Sequence, residues 1–318
     1  IILFGVVESA EAKWVNIVEI RCENQSAPLG IQTESPSFAW YLEADGRNVS
    51  QTAYRILVAD NIRMLKKGIG NVWDSGKCVS QESINVKYEG AKLQTAGCYY
   101  WKVQVWDNRG VESDWSTVGC FRMGLLKPSD WGKAKWIAMD TVPSKYVVYP
   151  GYQVAGNKVD YLEHEARMPQ FRRSFNLNKK DIRFAIAYIS GLGHFELSVN
   201  GEKIGDHFLD PGWSKYDKSS LYVTFDITDK LLKGENVLGV RLGNGFLHIP
   251  RDASRYRKLI STYSFPKMIC KVRITYADGT VEDIDSDKNW KVSPSPITFS
   301  SIYGGEDYDA TLEQIGWN

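Results

Sequence analysis

The chain has 318 residues, and its 39 basic and 38 acidic side chains leave a net charge of +1. A nucleic-acid or anionic-membrane surface needs a clustered basic excess, so this balance argues against both kinds of partner. No apolar run approaches the ~20 residues of a membrane span. We therefore expect a globular protein of about two domains, with no nucleic-acid partner and no membrane span.

The first twelve residues have the pattern of a secretory signal. An apolar segment, Ile1–Val7, precedes Ala10 and Ala12, which have the A-x-A spacing of a cleavage site. Residues 1–12 are therefore predicted to be a signal-peptide remnant, and the protein to be exported, either periplasmic or extracellular. A short N-terminal strand is the alternative interpretation.

Residues 13–126 contain short strand patterns at even spacing, with turn residues between them. In the clearest one, every second residue from Tyr99 to Val105 is large and apolar, and Leu93 lies shortly before it. A tyrosine in this position is typical of a tyrosine corner, in which the phenol contacts an upstream backbone group. The pattern predicts a fibronectin-III/immunoglobulin-like sandwich with a short helix in Asp60–Gly68 and strands at Val15–Cys22, Ser37–Leu42, Tyr54–Ala59, Ser83–Tyr88, Tyr99–Trp106 and Gly119–Met123.

Residues 127–165 have few strand formers, and their second part is rich in Tyr, Gly and Pro, so we predict a linker followed by a long loop. A second series of strand patterns occupies residues 166–295. Asn200-Gly201 and Asp278-Gly279 are hairpin signals, because such residues suit the φ > 0 positions of tight turns. We predict an all-β, jelly-roll-like (galactose-binding-like) sandwich with strands at Gln170–Leu177, Arg183–Ile189, His194–Asn200, Leu221–Phe225, Asn236–Leu242, Met268–Tyr276 and near Trp290–Val292.

Motifs for common catalytic chemistries are missing from the sequence. None of the four histidines forms H-E-x-x-H, and neither a G-x-S-x-G elbow nor a phosphate-binding P-loop occurs. Gly191-Leu192-Gly193 is interpreted as a tight connection between two strands. The five dispersed cysteines contain no C-x-x-C, which argues against a structural zinc site, and spacing cannot choose a disulfide pair. No catalytic residue is predicted.

The densest acidic cluster is Glu306-Asp307-Tyr308-Asp309. Hydrolysis of sugars uses two carboxyl groups at a defined separation. Since neighbours on a strand point to opposite faces, only Glu306 with Tyr308, or Asp307 with Asp309, could share one face. A solvated or domain-packing segment is the favoured interpretation over catalysis.

Two loops of the second sandwich are better binding candidates. Leu209–Asp217 and Gly243–Pro250 combine aromatic rings, which stack on the CH faces of sugars, with oxygens that accept hydrogen bonds from hydroxyls. We predict that no cofactor is required. Calcium would bind through the same oxygens, so calcium binding is an open alternative, and no ligand set is assigned to it. The alternative for the aromatic residues is that they pack one loop on the sheet. The candidate carbohydrate-binding residues are Asp210, Trp213, Tyr216, Asn244 and His248.

Ordered motifs over nearly the whole chain resemble a known family. The N-terminal fibronectin-like domain of bacterial α-L-rhamnosidases of glycoside hydrolase family 78 is similar to Gln51–Ile56, Val72–Lys77, Tyr100–Val103, Trp106-Asp107 and Phe121–Leu126. The β-sandwich that follows in those enzymes resembles Leu209–Asp217, Phe225–Thr228, Gly234–Leu238 and Leu242–Gly245. Ile302–Ala310 resembles the segment that leads toward their catalytic domain.

The resemblance implies a function that belongs to the parent enzyme. Family members cleave terminal α-L-rhamnose by inversion, with two carboxyl groups in an (α/α)6 barrel that would follow residues 296–318. The chain is then an inactive, ancillary N-terminal half, and its partners are a rhamnose-containing glycan and its own C-terminal catalytic domain. Thr311 stands where the family usually has Arg. The alternative is a stand-alone carbohydrate-binding or adhesion protein without catalysis.

Overall fold

The computed structural model describes residues 15–152, 167–178, 181–250, 252 and 254–318. The chain divides into two compact units, with the boundary between Asp130 and Trp131. Regular secondary structure in the described residues consists mainly of β-strands, with one short α-helix. The signal-peptide prediction for residues 1–12 lies outside the described residues.

The first unit is a sandwich of two antiparallel sheets. One sheet has the strand order β1-β2-β6, and the other has the order β4-β3-β7-β8, with β5 paired to β3. Residues of both sheets share one core, in which Phe38, Trp40 and Trp101 are almost fully buried. The elements are β1 (Val15–Cys22), β2 (Ser37–Ala44), β3 (Gln51–Ala59), α1 (Ile62–Lys66), β4 (Trp73–Asp74), β5 (Cys78–Val79), β6 (Val86–Lys87), β7 (Cys98–Asp107) and β8 (Gly119–Arg122).

The tyrosine corner is confirmed. The hydroxyl of Tyr99 accepts a hydrogen bond of 2.8 Å from the backbone N–H of Gln94, and Leu93 beside it is buried. Burial raises the pKa of the Tyr99 phenol above its ordinary value. The phenol therefore anchors the chain entering β7 while its ring fills the core.

Tyr99→Phe is expected to lower the free energy of unfolding by about 1–2 kcal/mol, because the N–H of Gln94 loses its acceptor in a partly buried place. Equilibrium denaturation with urea measures the change. Tyr41→Phe, on the exposed side of β2, is the matched control and should change stability by less than about 0.5 kcal/mol. Equal losses in the two variants would contradict this role of the corner.

The second unit is a larger sandwich. One five-stranded sheet has the order β14-β13-β16-β11-β20, and the other has the order β15-β12-β18-β19, with β9 paired to one end of β18. Both sheets contribute to one core. The strands are β9 (Ile137–Ala138), β10 (Val148–Tyr152), β11 (Pro169–Leu177), β12 (Ile182–Leu192), β13 (His194–Val199), β14 (Glu202–Lys203), β15 (Val223–Asp226), β16 (Gly234–Gly243), β17 (Leu259–Thr262), β18 (Lys267–Tyr276), β19 (Val281–Asp285), β20 (Lys291–Pro294), β21 (Ile297–Ser301) and β22 (Gly305–Tyr308).

Both predicted hairpins are present, and the first has the expected turn. Asn200 and Gly201 have φ of 51° and 86°, so both central residues are left-handed, as in a type I′ turn. In the second hairpin, which joins β18 to β19, Gly279 has φ of 84° and Asp278 is not left-handed. Within the predicted linker and loop of 127–165, the structure has strand β10, which pairs with β17. Residues 153–165 of that prediction lie outside the described residues.

Each core contains one fully buried cysteine. Cys22 belongs to the core of the first unit and Cys270 to the core of the second, and both are free thiols. Burial raises the pKa of both thiols, that of Cys270 to about 12. A thiol with a raised pKa in an apolar site behaves as a small hydrophobic side chain.

Candidate functional site

The loop Leu209–Asp217 packs against its neighbours through its aromatic rings. Trp213 stacks on Phe246, with ring centroids 4.1 Å apart and planes 13° from parallel, although half of its surface stays exposed. Tyr216 meets Tyr263 edge to face, and burial raises its pKa to about 12. The Oδ2 atom of Asp210 lies 2.9 Å from Nδ1 of His207. This geometry agrees with the packing alternative, and sugar binding by the loop stays a prediction.

The other two candidate residues lie in the interior. Asn244 is 1% exposed, its Nδ2 donates a 2.8 Å hydrogen bond to the carbonyl of Ser300, and its Oδ1 has no hydrogen-bond partner among the described residues. His248 is 2% exposed, and its Nδ1 lies 3.1 Å from Oγ1 of Thr262. Both side chains therefore hold the segment after β16 in place. The structure does not bring the five predicted residues together in one open site.

A cavity of about 460 Å³ lies elsewhere in the second unit. Its floor is the outer face of β13 and β16. The apolar residues of these strands point into the core, so the alternate residues point outward. Glu196 pairs with Arg241 and His194 with Gly243 in the strand register. The walls are the β21–β22 hairpin and the segment Phe208-Leu209, and none of the five predicted residues lines the cavity.

The acidic cluster at the end of the sequence forms one wall. Glu306 and Tyr308 both line the cavity, as the shared-face argument allowed. Asp307 points elsewhere and accepts hydrogen bonds of 2.8 and 2.6 Å from Nη2 of Arg255. Asp309 accepts hydrogen bonds from the backbone N–H and the hydroxyl of Thr311, so Thr311 has a local structural role.

The electrostatics of the cavity are mixed. Partial burial and the nearby Glu196 raise the pKa of Glu306, although the guanidinium of Arg241 acts in the opposite direction. Nζ of Lys203 donates a 2.6 Å hydrogen bond to Glu196 and also lies 4.8 Å from the ring centroid of Phe208. Two carboxyl groups thus face two cations, and the wall beside them is apolar.

The last residues of the chain cover the neighbouring part of the same sheet face. The guanidinium carbon of Arg241 lies 4.9 Å from the ring centroid of Trp317. Nδ2 of Asn318 donates a 3.1 Å hydrogen bond to Oγ of Ser198. A Cβ added to Gly239 would lie 2.5 Å from Cβ of Asn318, so this close approach requires glycine in β16. Arg241 therefore separates the cavity from the docked C-terminal segment.

Among the residues that the structure describes, no group of three His, Cys, Asp or Glu side chains is placed to hold a metal ion. No described helix is both long and apolar enough to cross a membrane. Calcium binding remains a prediction.

Both units match families of rhamnosidase domains. Residues 17–127 match the family described as "Rha78A-like, N-terminal immunoglobulin domain". Residues 180–318 match the family described as "Alpha-L-rhamnosidase N-terminal domain".

Individual relatives agree with these matches. A curated α-L-rhamnosidase of Formosa agariphila is 44% identical over 92% of this chain, which covers 31% of that protein. The solved α-L-rhamnosidase from Dictyoglumus thermophilum is 38% identical with a TM-score of 0.79, covering 98% of this chain and 33% of its own. The Streptomyces avermitilis α-L-rhamnosidase complexed with L-rhamnose is 21% identical, with a TM-score of 0.81. The match covers 95% of this chain and 43% of the Streptomyces chain, and at this identity it supports only the similarity of fold.

The chain thus spans about a third of the length of the curated relatives that it matches. It belongs to the α-L-rhamnosidases of glycoside hydrolase family 78, as their N-terminal immunoglobulin-like and β-sandwich region.

Proposed function

We propose that this chain is the ancillary N-terminal portion of an enzyme that hydrolyses terminal α-L-rhamnose from glycosides or polysaccharides. One observation carries the proposal: 92% of the chain aligns at 44% identity with an α-L-rhamnosidase, yet covers only 31% of it. The remaining two thirds of such a protein have room for the acid and the base of an inverting mechanism. In this proposal the two sandwiches support the catalytic part and help to present a rhamnose-containing glycan.

A competing candidate comes from the cavity itself. Glu196 and Glu306 both line it, and the pKa of Glu306 is raised. A pair of carboxyl groups, one of them with a raised pKa, is also what glycoside hydrolysis uses. Activity measured on the isolated chain distinguishes the two candidates.

The isolated chain is expected to release no 4-nitrophenol from 4-nitrophenyl α-L-rhamnopyranoside above the rate in buffer. A chimera in which this chain replaces the matching third of the Formosa agariphila relative should retain hydrolysis within about tenfold of that enzyme, because 44% identity preserves the fold and most contacts. The same relative without that third should lose soluble activity, since its catalytic part loses its support. Absorbance at 405 nm, ~25 °C and equal protein concentrations gives all three rates.

Two outcomes would contradict the proposal. Hydrolysis by the isolated chain that disappears in Glu306→Gln would place the chemistry in the cavity. Full activity of the shortened relative would remove the ancillary role. The complete Formosa agariphila enzyme is the positive control, and circular dichroism establishes that each protein is folded.

Export and calcium binding are further parts of the proposal. Export is supported by the signal-like pattern of Ile1–Val7 with Ala10 and Ala12. Calcium binding is supported by the oxygen-rich loops Leu209–Asp217 and Gly243–Pro250.

A further inference from the structure

We propose that the catalytic part of the same enzyme docks on an exposed apolar patch of the second unit. The existence of this partner rests on the proposed function, whereas the position of the interface rests on the side chains of the patch and on the path of the last residues of the chain. The patch consists of Phe208, Leu209, Trp213, Phe246, Tyr256 and Tyr303.

The aromatic side of the patch is one connected row of rings. Trp213 stacks on Phe246, and the ring centroid of Phe246 lies 5.9 Å from that of Tyr303. The ring centroids of Tyr303 and Tyr256 are 6.0 Å apart, and both of these last two pairs meet edge to face. Tyr256 at the end of the row is 70% exposed. The four rings come from four separate segments of the chain, so the row is a property of the folded surface.

Phe208 and Leu209 form the other side of the patch. They are 82% and 64% exposed, and both line the cavity over β13 and β16. The residues that precede the two central rings of the row, Gly245 and Ile302, line the same cavity, so the cavity lies between the two sides of the patch. An exposed apolar surface of this extent marks an interaction site. A protruding apolar side chain of the partner would fill the cavity.

The last residues of the chain cross the outer face of the same sheet. Gln314 contacts β11 through the side chain of Gln170. Trp317 then lies over the guanidinium group of β16, and Asn318 reaches β13. Because the strand order is β14-β13-β16-β11-β20, this path leads across the sheet toward β14.

Lys203 in β14 connects the end of this path to the patch. It lines a small cleft of about 160 Å³ together with Trp317 and Asn318, and its Nζ lies 4.8 Å from the ring centroid of Phe208. Residues 180–318 match an N-terminal domain family, and the chain covers 31% of the Formosa agariphila relative. In the proposed enzyme, the polypeptide that follows Asn318 therefore starts one side chain away from the patch.

The charged groups beside the patch already have partners, so the docked surface is expected to be apolar. Nζ of Lys203 lies 2.6 Å from Glu196, and Nη2 of Arg255 lies 2.6 Å from Asp307. Nη1 of Arg255 also donates a 2.9 Å hydrogen bond to the carbonyl of Gly304, next to a ring of the row. An apolar centre with a polar rim is the usual construction of a protein interface. Because the rim is fixed before docking, less entropy is lost on association.

Hydrogen exchange followed by mass spectrometry tests the interface, in the isolated chain and in the chimera with the Formosa agariphila relative. Amides of residues 206–214, 244–248 and 301–305 are expected to exchange at least about tenfold more slowly in the chimera, because the docked catalytic part suppresses local opening. Residues 278–284 surround the exposed Val281 on the opposite sheet. Their exchange should stay within about twofold of that in the isolated chain.

Phe208→Ser removes one side chain of the patch and leaves the core intact, since Phe208 is mostly exposed. The urea midpoint of the isolated chain should therefore not change. The half-life of rhamnosidase activity of the heated chimera should shorten by about tenfold, the effect of losing one buried aromatic contact. Phe208→Leu should restore most of that half-life. Val281→Ser is the matched control, and it should leave both measurements unchanged.

Equal exchange of the patch in the isolated chain and in the chimera would overturn the inference. Protection confined to residues 278–284 would also overturn it, because the catalytic part would then cover the opposite sheet. Protection of the patch in the isolated chain that disappears on dilution would assign the surface to a second copy of this chain instead. A chimera that hydrolyses rhamnosides with an unprotected patch removes only this inference, whereas hydrolysis by the isolated chain removes the proposed function.

Discussion

Lys271→Met is expected to lower the free energy of unfolding of the second unit by about 3–5 kcal/mol, the range for removing one partner of a buried charge network. The side chain is almost completely buried, and its Nζ lies 2.8 Å from Asp283 and 3.0 Å from Asp285. Methionine fills the same space without the charge, so two carboxylates remain in a site that has lost its ammonium group. Denaturation with guanidinium chloride measures the loss.

The burial of Lys271 depends on the segment that follows the domain boundary. The N–H of Lys135 donates to the carbonyl of Ser286, and the hydroxyl of Ser286 donates back to the carbonyl of Lys135. A Cβ added to Gly132 would lie 3.4 Å from Nζ of Lys271, so this segment passes directly over the ammonium group. The outer face of β18 is thereby closed to solvent at this point.

Two comparisons test this explanation. Lys291→Met, at an exposed position in β20, should change stability by less than about 0.5 kcal/mol. The double variant Lys271→Met, Asp285→Leu should be more stable than Lys271→Met alone, because Asp285 then leaves no carboxylate without a cation while Asp283 keeps its ion pair with Arg273. A loss below about 1 kcal/mol for Lys271→Met would mean that water reaches the network.

The same network contributes to acid denaturation. Burial raises the pKa of Asp283, but hydrogen bonds from Arg273 and Lys271 outweigh it and hold the pKa below its ordinary value. The stabilisation is therefore fully present above the unfolded pKa of ~3.9 and disappears as the pH falls through the lower folded value. Lys271→Met removes one of these donors, so the variant should lose less additional stability than the native chain between about pH 5 and 2.

Gly193→Ala is expected to lower the free energy of unfolding by about 3 kcal/mol or more, through a steric clash added to backbone strain. Gly193 joins β12 to β13 with φ of 100°. An added Cβ would lie 2.2 Å from the carbonyl oxygen of Gly243 and 3.0 Å from that of Asn244. Both contacts are with backbone, so relief requires the strands to separate beneath the cavity. Thermal and chemical unfolding measure the effect.

Gly201→Ala is the matched control for this substitution. Gly201 has φ of 86°, but an added Cβ would meet nothing within 4 Å. Only the strain of a left-handed alanine remains, which costs about 1–2 kcal/mol. Similar losses in the two variants would show that the close approach to β16 is unimportant. A larger loss in Gly193→Ala supports the tight connection that the sequence predicted for Gly191–Gly193.

Much of the fold was predictable because its strands alternate cleanly. The pattern from Tyr99 to Val105 placed β7 and its anchoring phenol correctly. The hairpin signal at Asp278-Gly279 indicated that a strand follows β18, but the bounds of β19 were not predicted, because Val281–Asp285 is acidic and acidic residues are depleted in strands. Its carboxylates are stabilised by Lys271 and Arg273 on the neighbouring strand, a compensation that appears only once the pairing is known.

The cavity was harder to predict than the strands that form it. Alternation correctly allowed Glu306 and Tyr308 to share a face. Their neighbours Glu196 and Arg241, however, come from strands about 60 to 110 residues earlier, and no local pattern indicates which strands meet. The composition of the loop Leu209–Asp217 made it a predicted binding site. In the structure, the exposed pair at the start of this loop, Phe208-Leu209, forms a wall of the cavity.

The buried cysteines give each unit its own chemical reporter. Cys22 and Cys270 are sealed in different cores, so an alkylating reagent reaches either thiol only when that core opens. Once the remaining three cysteines are replaced by serine, peptide mass spectrometry can follow the labelling of both sites in a single sample. The opening rates of the two sandwiches then become separable without cutting the chain or adding a dye.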